Sequence, residues 1–408
     1  MICSVTNADE PFRPTPGKFP PIEKSQEYRG ELVFVDHANR RGSLRIESPG
    51  MFFRNEPHPF AMLPYGMVRY HGAPADLRDI PLGTVLHARG FLPPDPNLSS
   101  VPVIEPRANE KNKEKKVSPK DLAAPPENHI ILLEDEPSRC LRLGNVWKLG
   151  ELEIKADKAI ITASLEPKQG PPGNKGPQIM TLDSATHIWR GRESLTMADL
   201  IAEGIWPSSG KKSLGGQPVL LGITWKPTPS NVFCRFHISD IWLDDTAMQR
   251  SAQIQNETHR ALIRSRWMPG WVDTVEYGRY GQATVTATLF GGMDESLYAD
   301  FKKGLPGMMN SVENTLKHTH GAYGPAHMAS RGTLLDVIRM PGTPTAGSSG
   351  IQIKFETDLI IEGIRPGRVV RIRPNSWPVV DVPREEYLRD GSANIEERFP
   401  TPAIFPKY

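Results

Sequence analysis

The chain has 408 residues, 38% of them hydrophobic and 24% charged, which is enough apolar material for sizeable cores and excludes a chain disordered throughout. Its 40 prolines and 35 glycines suit strands broken by many turns rather than a helical protein. The net charge of +2 gives no strong global field and weighs against a dedicated nucleic-acid binder, while three distant cysteines without a CxxC exclude a disulfide framework.

In chain order, Met1 to Ala8 (MICSVTNA) precedes a polar, proline-rich stretch, and residues 1–27 are expected to form an extended arm. The first residues read equally as the tail of an export signal and as an ordinary terminus, so cytoplasmic and exported locations both stay open. No stretch approaches the roughly 18 apolar residues of a membrane helix, so no transmembrane segment is expected. Residues 28–145 read as a first module. Leu32 to Asp36 alternates as a strand, Asp36 to Gly42 (DHANRRG) carries hairpin residues, and Leu44 and Ile46 alternate with polar neighbours. Met62 to Tyr70 is a third strand in which Pro64 implies an edge or a bulge. Val85 to Gly90 is a fourth. Residues 93–128, with NEKNKEKK at Asn109 to Lys116, have the composition of a mobile loop. Ile130 to Leu133 and Arg139 to Leu143 are expected as a returning hairpin that closes a five-stranded barrel, with Cys140 a small buried hydrophobe in its second strand.

A second copy occupies 146–243: WKLGELEIKADKAIITASLEP from Trp147 parallels YRGELVFVDHANRRGSLRIES from Tyr28. Strands follow at 178–182, 218–225 and 232–243, the last containing Cys234, with a short helix at 196–203. Residues 244–269 hold the one long helix, capped by Asp244 or Asp245 and stopped by Pro269-Gly270. Arg260, Arg264 and Arg266 gather in its last turns, where they suit the helix dipole. A third copy spans 270–377, with a hairpin at 333–339 and 351–357, a short helix at 294–302, and Trp377 as an anchor. Residues 378–408 form a proline-rich tail with Tyr387.

Two strands, a third, a connecting helix or turn, then two more strands is an order that resembles the oligonucleotide/oligosaccharide-binding (OB) barrel. The expected fold class is mainly all-β: tandem small OB-like barrels with one longer helix and short helices. The resemblance implies a binding or assembly module rather than an enzyme, with an unidentified protein, glycan or single-stranded nucleic acid as partner. For nucleic acid, the first module would present Arg40, Arg41, Arg54, Tyr65, Arg69 and Tyr70, with Phe52 and Phe53, as a stacking platform. The alternative places the aromatics in the core and the arginines on the wet strand face. Separately, His318, His320 and His327 in LKHTHGAYGPAHM supply three imidazoles suited to zinc or copper, with Met308, Met309 and Met328 favouring copper(I); the alternative is a surface loop with chance histidines. No GxGxxG, P-loop or GxSxG motif is present. The Glu134–Asp135–Glu136 run fits a turn or helix start better than an acid/base pair.

Overall fold

The computed structural model describes residues 12–15, 17–37, 40–47, 57–91, 128–155, 158–168, 176–227, 234–311, 329–361, 363–378 and 380. The protein is mostly β, built of closed barrels in tandem with few helices. Barrel 1 contains β1 (Gln26–Asp36), β2 (Arg41–Ile46), β3 (His58–Tyr70), a two-residue β4 (Ala73–Pro74), β5 (Val85–Phe91) and β6 (Asn128–Asp135). Its ring runs β1-β2-β3-β6-β5 and back to β1, with β3 and β6 parallel and the other ring pairs antiparallel. Taking the ring strands in sequence, this is the order 1-2-3-5-4 of an OB-like barrel.

Barrel 2 repeats that order. Its strands are β7 (Asn145–Lys155), β8 (Lys158–Pro167), β9 (Gln178–Asp183), β10 (His187–Arg190), β11 (Glu193–Leu195), β12 (Gly210–Pro227) and β13 (Cys234–Trp242). The ring is β7-β8-β9-β13-β12, again with its third and fifth strands parallel, and β10 and β11 extend the sheet beyond β13. The short helix α2 (Met197–Ala202) starts at a reciprocal cap between Thr196 and Asp199.

Barrel 3 departs from the expected third copy. β14 (Met268–Tyr277), β15 (Ala283–Phe290), β16 (Pro306–Ser311), β17 (Ser330–Arg339), β18 (Ser348–Thr357) and β19 (Val369–Pro374) close in the order β14-β15-β18-β17-β16-β19. All six pairings are antiparallel. The opening hairpin and the β17–β18 hairpin lie where alternation places them. The extra strand β16 takes the place beside β19 that a parallel fifth strand holds in the other barrels. The small helix α4 (Glu295–Ala299) precedes it.

The repeated glycine of the opening strands has a steric reason. A Cβ on Gly30 would lie 2.6 Å from Arg45 O, and one on Gly150 would lie 2.6 Å from Thr162 Oγ1. The first strand of each OB-like barrel therefore crosses its hairpin partner more closely than a side chain permits.

Two expected elements are corrected. Arg139 to Leu143 is a helix, α1 (Glu136–Leu143), rather than a strand, and Cys140 is buried on it. Asp135 caps it by accepting from Ser138 N–H (3.0 Å), Pro137 lies in its first turn, and Gly144 ends it at φ 68°. The fifth strand of barrel 1 is β6 alone. The long helix α3 (Asp245–Arg266) ends at Trp267 with φ 68°, so Pro269 and Gly270 belong to β14 rather than to a helix stop.

The three barrels share buried surface. Val85 of barrel 1 sits in the core of barrel 2, and Trp225 N–H donates to Gly83 O (3.2 Å) across that junction. Barrels 1 and 3 meet through Leu63, Tyr65, Phe91, Trp271 and Phe290, with Phe19 of the N-terminal arm packed among them. Helix α3 touches all three barrels. Ser251 accepts from Trp242 Nε1 of barrel 2 (2.9 Å), Gln255 donates to Asp79 of barrel 1 (2.9 Å), and Arg264 pairs with Asp300 of barrel 3 (2.9 Å). Arg260 also faces barrel 3, at 3.9 Å from Asp294, so these arginines join elements as well as suiting the helix end. Trp377 is buried as expected, donating from Nε1 to Asp300 (2.9 Å). No described helix is long and apolar enough to cross a membrane.

Candidate functional site

The most chemically loaded cluster lies between barrels 1 and 2. Glu134, Asp135 and Glu136 are all buried, which their positions in sequence do not suggest. Glu136 Oε2 lies 2.7 Å from His87 Nε2 and 3.6 Å from Arg29 Nη2. Its Oε1 accepts from Trp147 Nε1 (3.2 Å) and from the Cys140 thiol (3.7 Å). Burial alone would raise the Glu136 pKa, but the His87 hydrogen bond and the charges of His87, Arg29 and Arg139 outweigh it and hold the carboxyl down at about 2. Burial, reinforced by the Glu136 carboxylate, pushes the Cys140 thiol up, so it is a poor nucleophile. Glu134 is gripped by Arg142 through Nε (2.8 Å) and Nη2 (2.7 Å), and Asp135 caps α1 and accepts from His71 N–H (2.8 Å). Each carboxylate is occupied in holding an element. The Arg29 guanidinium also stands 4.4 Å from the centre of the Phe236 ring in barrel 2, so the cluster fastens one barrel to the next.

The described residues expected to form a stacking platform have separate surroundings. Arg40 donates to Pro64 O (2.7 Å), Gly66 O (2.7 Å) and Leu63 O (3.2 Å). These carbonyls belong to the bulge of β3, where the pairing with β6 jumps from Met62↔Ile130 to Met67↔Leu132. Pro64 thus marks a bulge, and Arg40 satisfies what the bulge leaves unpaired. Arg41 and Tyr65 are buried. Tyr65 stacks edge-on against Phe19 (5.0 Å) and Trp271 (5.7 Å), inside the junction with barrel 3. Tyr70 is half-buried and stacked on His71 (3.8 Å), and burial with Asp135, Asp240 and Asp79 raises its hydroxyl pKa. A ring beside three carboxylates is a poor neighbour for phosphate. Arg69 is half-exposed next to it. Arg54, Phe52 and Phe53 lie outside the described residues, as do His318, His320, His327 and Met328. Among the described residues no group of three or more His, Cys, Asp or Glu could hold a metal.

A groove opens instead at the end of barrel 1. The β2–β3 ladder stops at Leu44↔His58, while β2 runs on to Ile46, and β3 first meets β6 at Phe60↔Asn128. At this end of the ladder, Tyr28, Leu44, Ile46, Pro59, Phe60 and Ile130 wall a pocket of about 150 Å³, with His58 and Asn128 adding its polar atoms. His129, one residue along, is held neutral by burial and by the charge of Arg41, its pKa lowered to about 4. A volume of this size takes one benzene-sized group. The notable signal in the sequence is the alternation of Leu44 and Ile46 with polar residues, which marks an apolar face but cannot show that the ladder ends there.

Compared with protein-family models, with curated proteins and with solved structures, the chain matches none.

Proposed function

We propose that the protein is a non-enzymatic binding and assembly protein whose three barrels form one block, and that the groove of barrel 1 takes an apolar side chain of a protein partner. One observation carries this reading: the groove at the end of the β2–β3 ladder is walled by aliphatic and aromatic residues, with His58 and Asn128 as its polar groups. A glycan would need a dense set of hydrogen-bond partners, and single-stranded nucleic acid would need free cations beside exposed rings. The groove has neither, and Arg40, Arg41 and Tyr65 are engaged elsewhere. An extended peptide presenting Leu or Phe fits the lining better.

The test is selection of a displayed random peptide library on the full-length protein. Peptides enriched for one apolar anchor are expected, with binding lost in Ile46→Gln and little changed in a substitution on barrel 3 such as Lys354→Ala. Thermal melting of each variant separates lost binding from lost folding. No enrichment over an unrelated protein, or equal binding by Ile46→Gln, would sink the reading.

A further inference from the structure

Among the described residues, four other than glycine have positive φ: Arg40 (φ 53°), His71 (φ 51°), Trp267 (φ 68°) and Tyr280 (φ 56°). Such a conformation is costly for a bulky side chain, so each instance calls for a compensating contact. Arg40 clips the β3 bulge. His71 stacks on Tyr70 and donates its N–H to Asp135 (2.8 Å). Trp267 is buried with the Arg373 guanidinium 5.4 Å from its ring centre. Tyr280 has no comparable compensation: its side chain is 96% exposed.

Its position sharpens the point. Tyr280 and Gly281 (φ 84°) are the central residues of the turn Arg279-Tyr280-Gly281-Gln282, closed by Gln282 N–H donating to Arg279 O (3.1 Å). Positive φ at both central residues is the type I′ pattern, whose favoured pair is Asn-Gly. This hairpin between β14 and β15 therefore carries tyrosine where asparagine would fold better. Around it stand Tyr277 at 69% exposure and Leu359 at 62%. Ile360 N–H donates to Gly281 O (2.9 Å), which lays Leu359 against the hairpin tip.

We propose that this tip of barrel 3 is a self-association surface, joining two copies of the chain about a two-fold axis with Tyr280, Tyr277 and Leu359 at its centre. Exposed charges of both signs ring the patch: Arg279 and Arg331 against Glu276, Glu356 and Asp358. In a two-fold contact the same surface faces itself, so a patch must supply both partners of each ion pair, and this one does. A surface for nucleic acid would instead concentrate cations, and stacked bases would have no use for Leu359. Tyrosine and arginine anchors among charges of either sign are the composition of a protein interface.

The test is sedimentation velocity of the full chain over a wide concentration range, for the natural sequence and for Tyr280→Asn and Arg279→Glu. The natural chain is expected to pass from monomer to dimer. Tyr280→Asn is expected to weaken association at least about tenfold, while raising the melting temperature by about 1–2 °C because asparagine relieves the turn. Arg279→Glu is expected to weaken association with little change in melting. A natural chain that stays monomeric throughout, or Tyr280→Asn associating equally well, would overturn the proposal. So would a lower melting temperature in Tyr280→Asn, which would give the ring a structural role. An oligodeoxythymidine bound by the natural chain and not by Tyr280→Asn, without self-association, would replace the proposal with a nucleic-acid surface.

Discussion

Barrel 1 joins barrel 2 through a buried carboxylate and joins barrel 3 through aromatic rings. At the first junction Glu136 gathers His87, Arg29, Trp147 and Cys140, and the gain depends on one ionised group with all its partners in place. At the second, Tyr65, Phe19, Trp271 and Phe290 meet edge to face or tilted at 5.0–6.2 Å and gain from area and dispersion. The polar junction is directional and sensitive to pH. The aromatic one tolerates acid and salt and is sensitive to shape. A block made this way fixes the barrels relative to each other, with the groove on barrel 1 and the exposed hairpin on barrel 3 apart from both junctions.

The strongest way to break the comparison is to remove the carboxylate. Glu136→Ala takes the buried acceptor from His87 and the Trp147 N–H and one of the two carboxylates, Glu136 and Glu47, that pair with Arg29, and is expected to cost about 4 kcal/mol. The measurement is chemical denaturation followed by tryptophan fluorescence, and a loss under about 1 kcal/mol would mean that the junction does not rest on this group. Tyr65→Ala opens a cavity at the other junction and is expected to cost about 3 kcal/mol, with little dependence on pH. Gly347→Ala probes the same place from the opposite side. Its φ is +88°, and a Cβ there would come within 2.6 Å of the Tyr65 ring. A loss of about 1–2 kcal/mol follows from strain and overpacking together.

Acid distinguishes the two junctions without any substitution. The folded Glu136 carboxyl titrates at about 2 against 4.5 when unperturbed. A depressed folded value gives stability that is fully present above the unfolded value and is lost as pH falls from about 4.5 towards 2, here on the order of 3 kcal/mol. His129 and His237, each lowered to about 4 by burial first, follow the same sign in a higher window: their contribution is present above about 6.5 and is lost as pH falls towards 4. Stability measured against pH should therefore fall in two stages. Glu136→Gln should erase the lower stage and leave the upper one, whereas Tyr65→Ala should preserve both. Retention of the lower stage in Glu136→Gln would assign it to other carboxylates.

Much of this architecture can be read from local pattern. The alternating strands, the opening hairpins and the Gly30 and Gly150 crossings all leave short-range marks, because a strand's period and a close approach are written into adjacent residues. Helix α1 was also legible in principle: Asp135, Pro137 and Gly144 are a cap, a first-turn proline and a left-handed stop, and the strand-like alternation of Leu141, Arg142 and Leu143 obscures them. The burial of Glu136 was not legible, since its partners His87 and Arg29 come from distant strands and no local pattern announces that a carboxylate will be enclosed. Tyr65 alternates like a surface aromatic because barrel 3, rather than its own barrel, covers it. The pairing order of barrel 3 is likewise set by contacts between strands far apart in sequence, where the order of elements along the chain resembles that of the other two barrels.

The smallest expected effect bears on why the polar junction works at all. At its rim Arg139 donates to Glu27 (2.8 Å), with side-chain exposures of 21% and 47%, a few residues from the buried pairs of Glu136. Burial would raise the Glu27 pKa, but the Arg139 hydrogen bond and charge, with the charges of His87 and Arg89, outweigh it and lower it. Both partners keep much of their hydration, so Arg139→Ala should cost about 0.5 kcal/mol or less, and about 1 M salt should remove most of even that. Glu136→Gln keeps the shape and loses only the charge in a site closed to water, and should cost several times more with little response to salt. The same kind of ion pair, placed a few ångströms inside or outside the water boundary, then differs by its surroundings alone. Equal losses in the two variants would instead locate the strength of the junction in the packing of Trp147 beside the carboxylate and of Phe236 against Arg29.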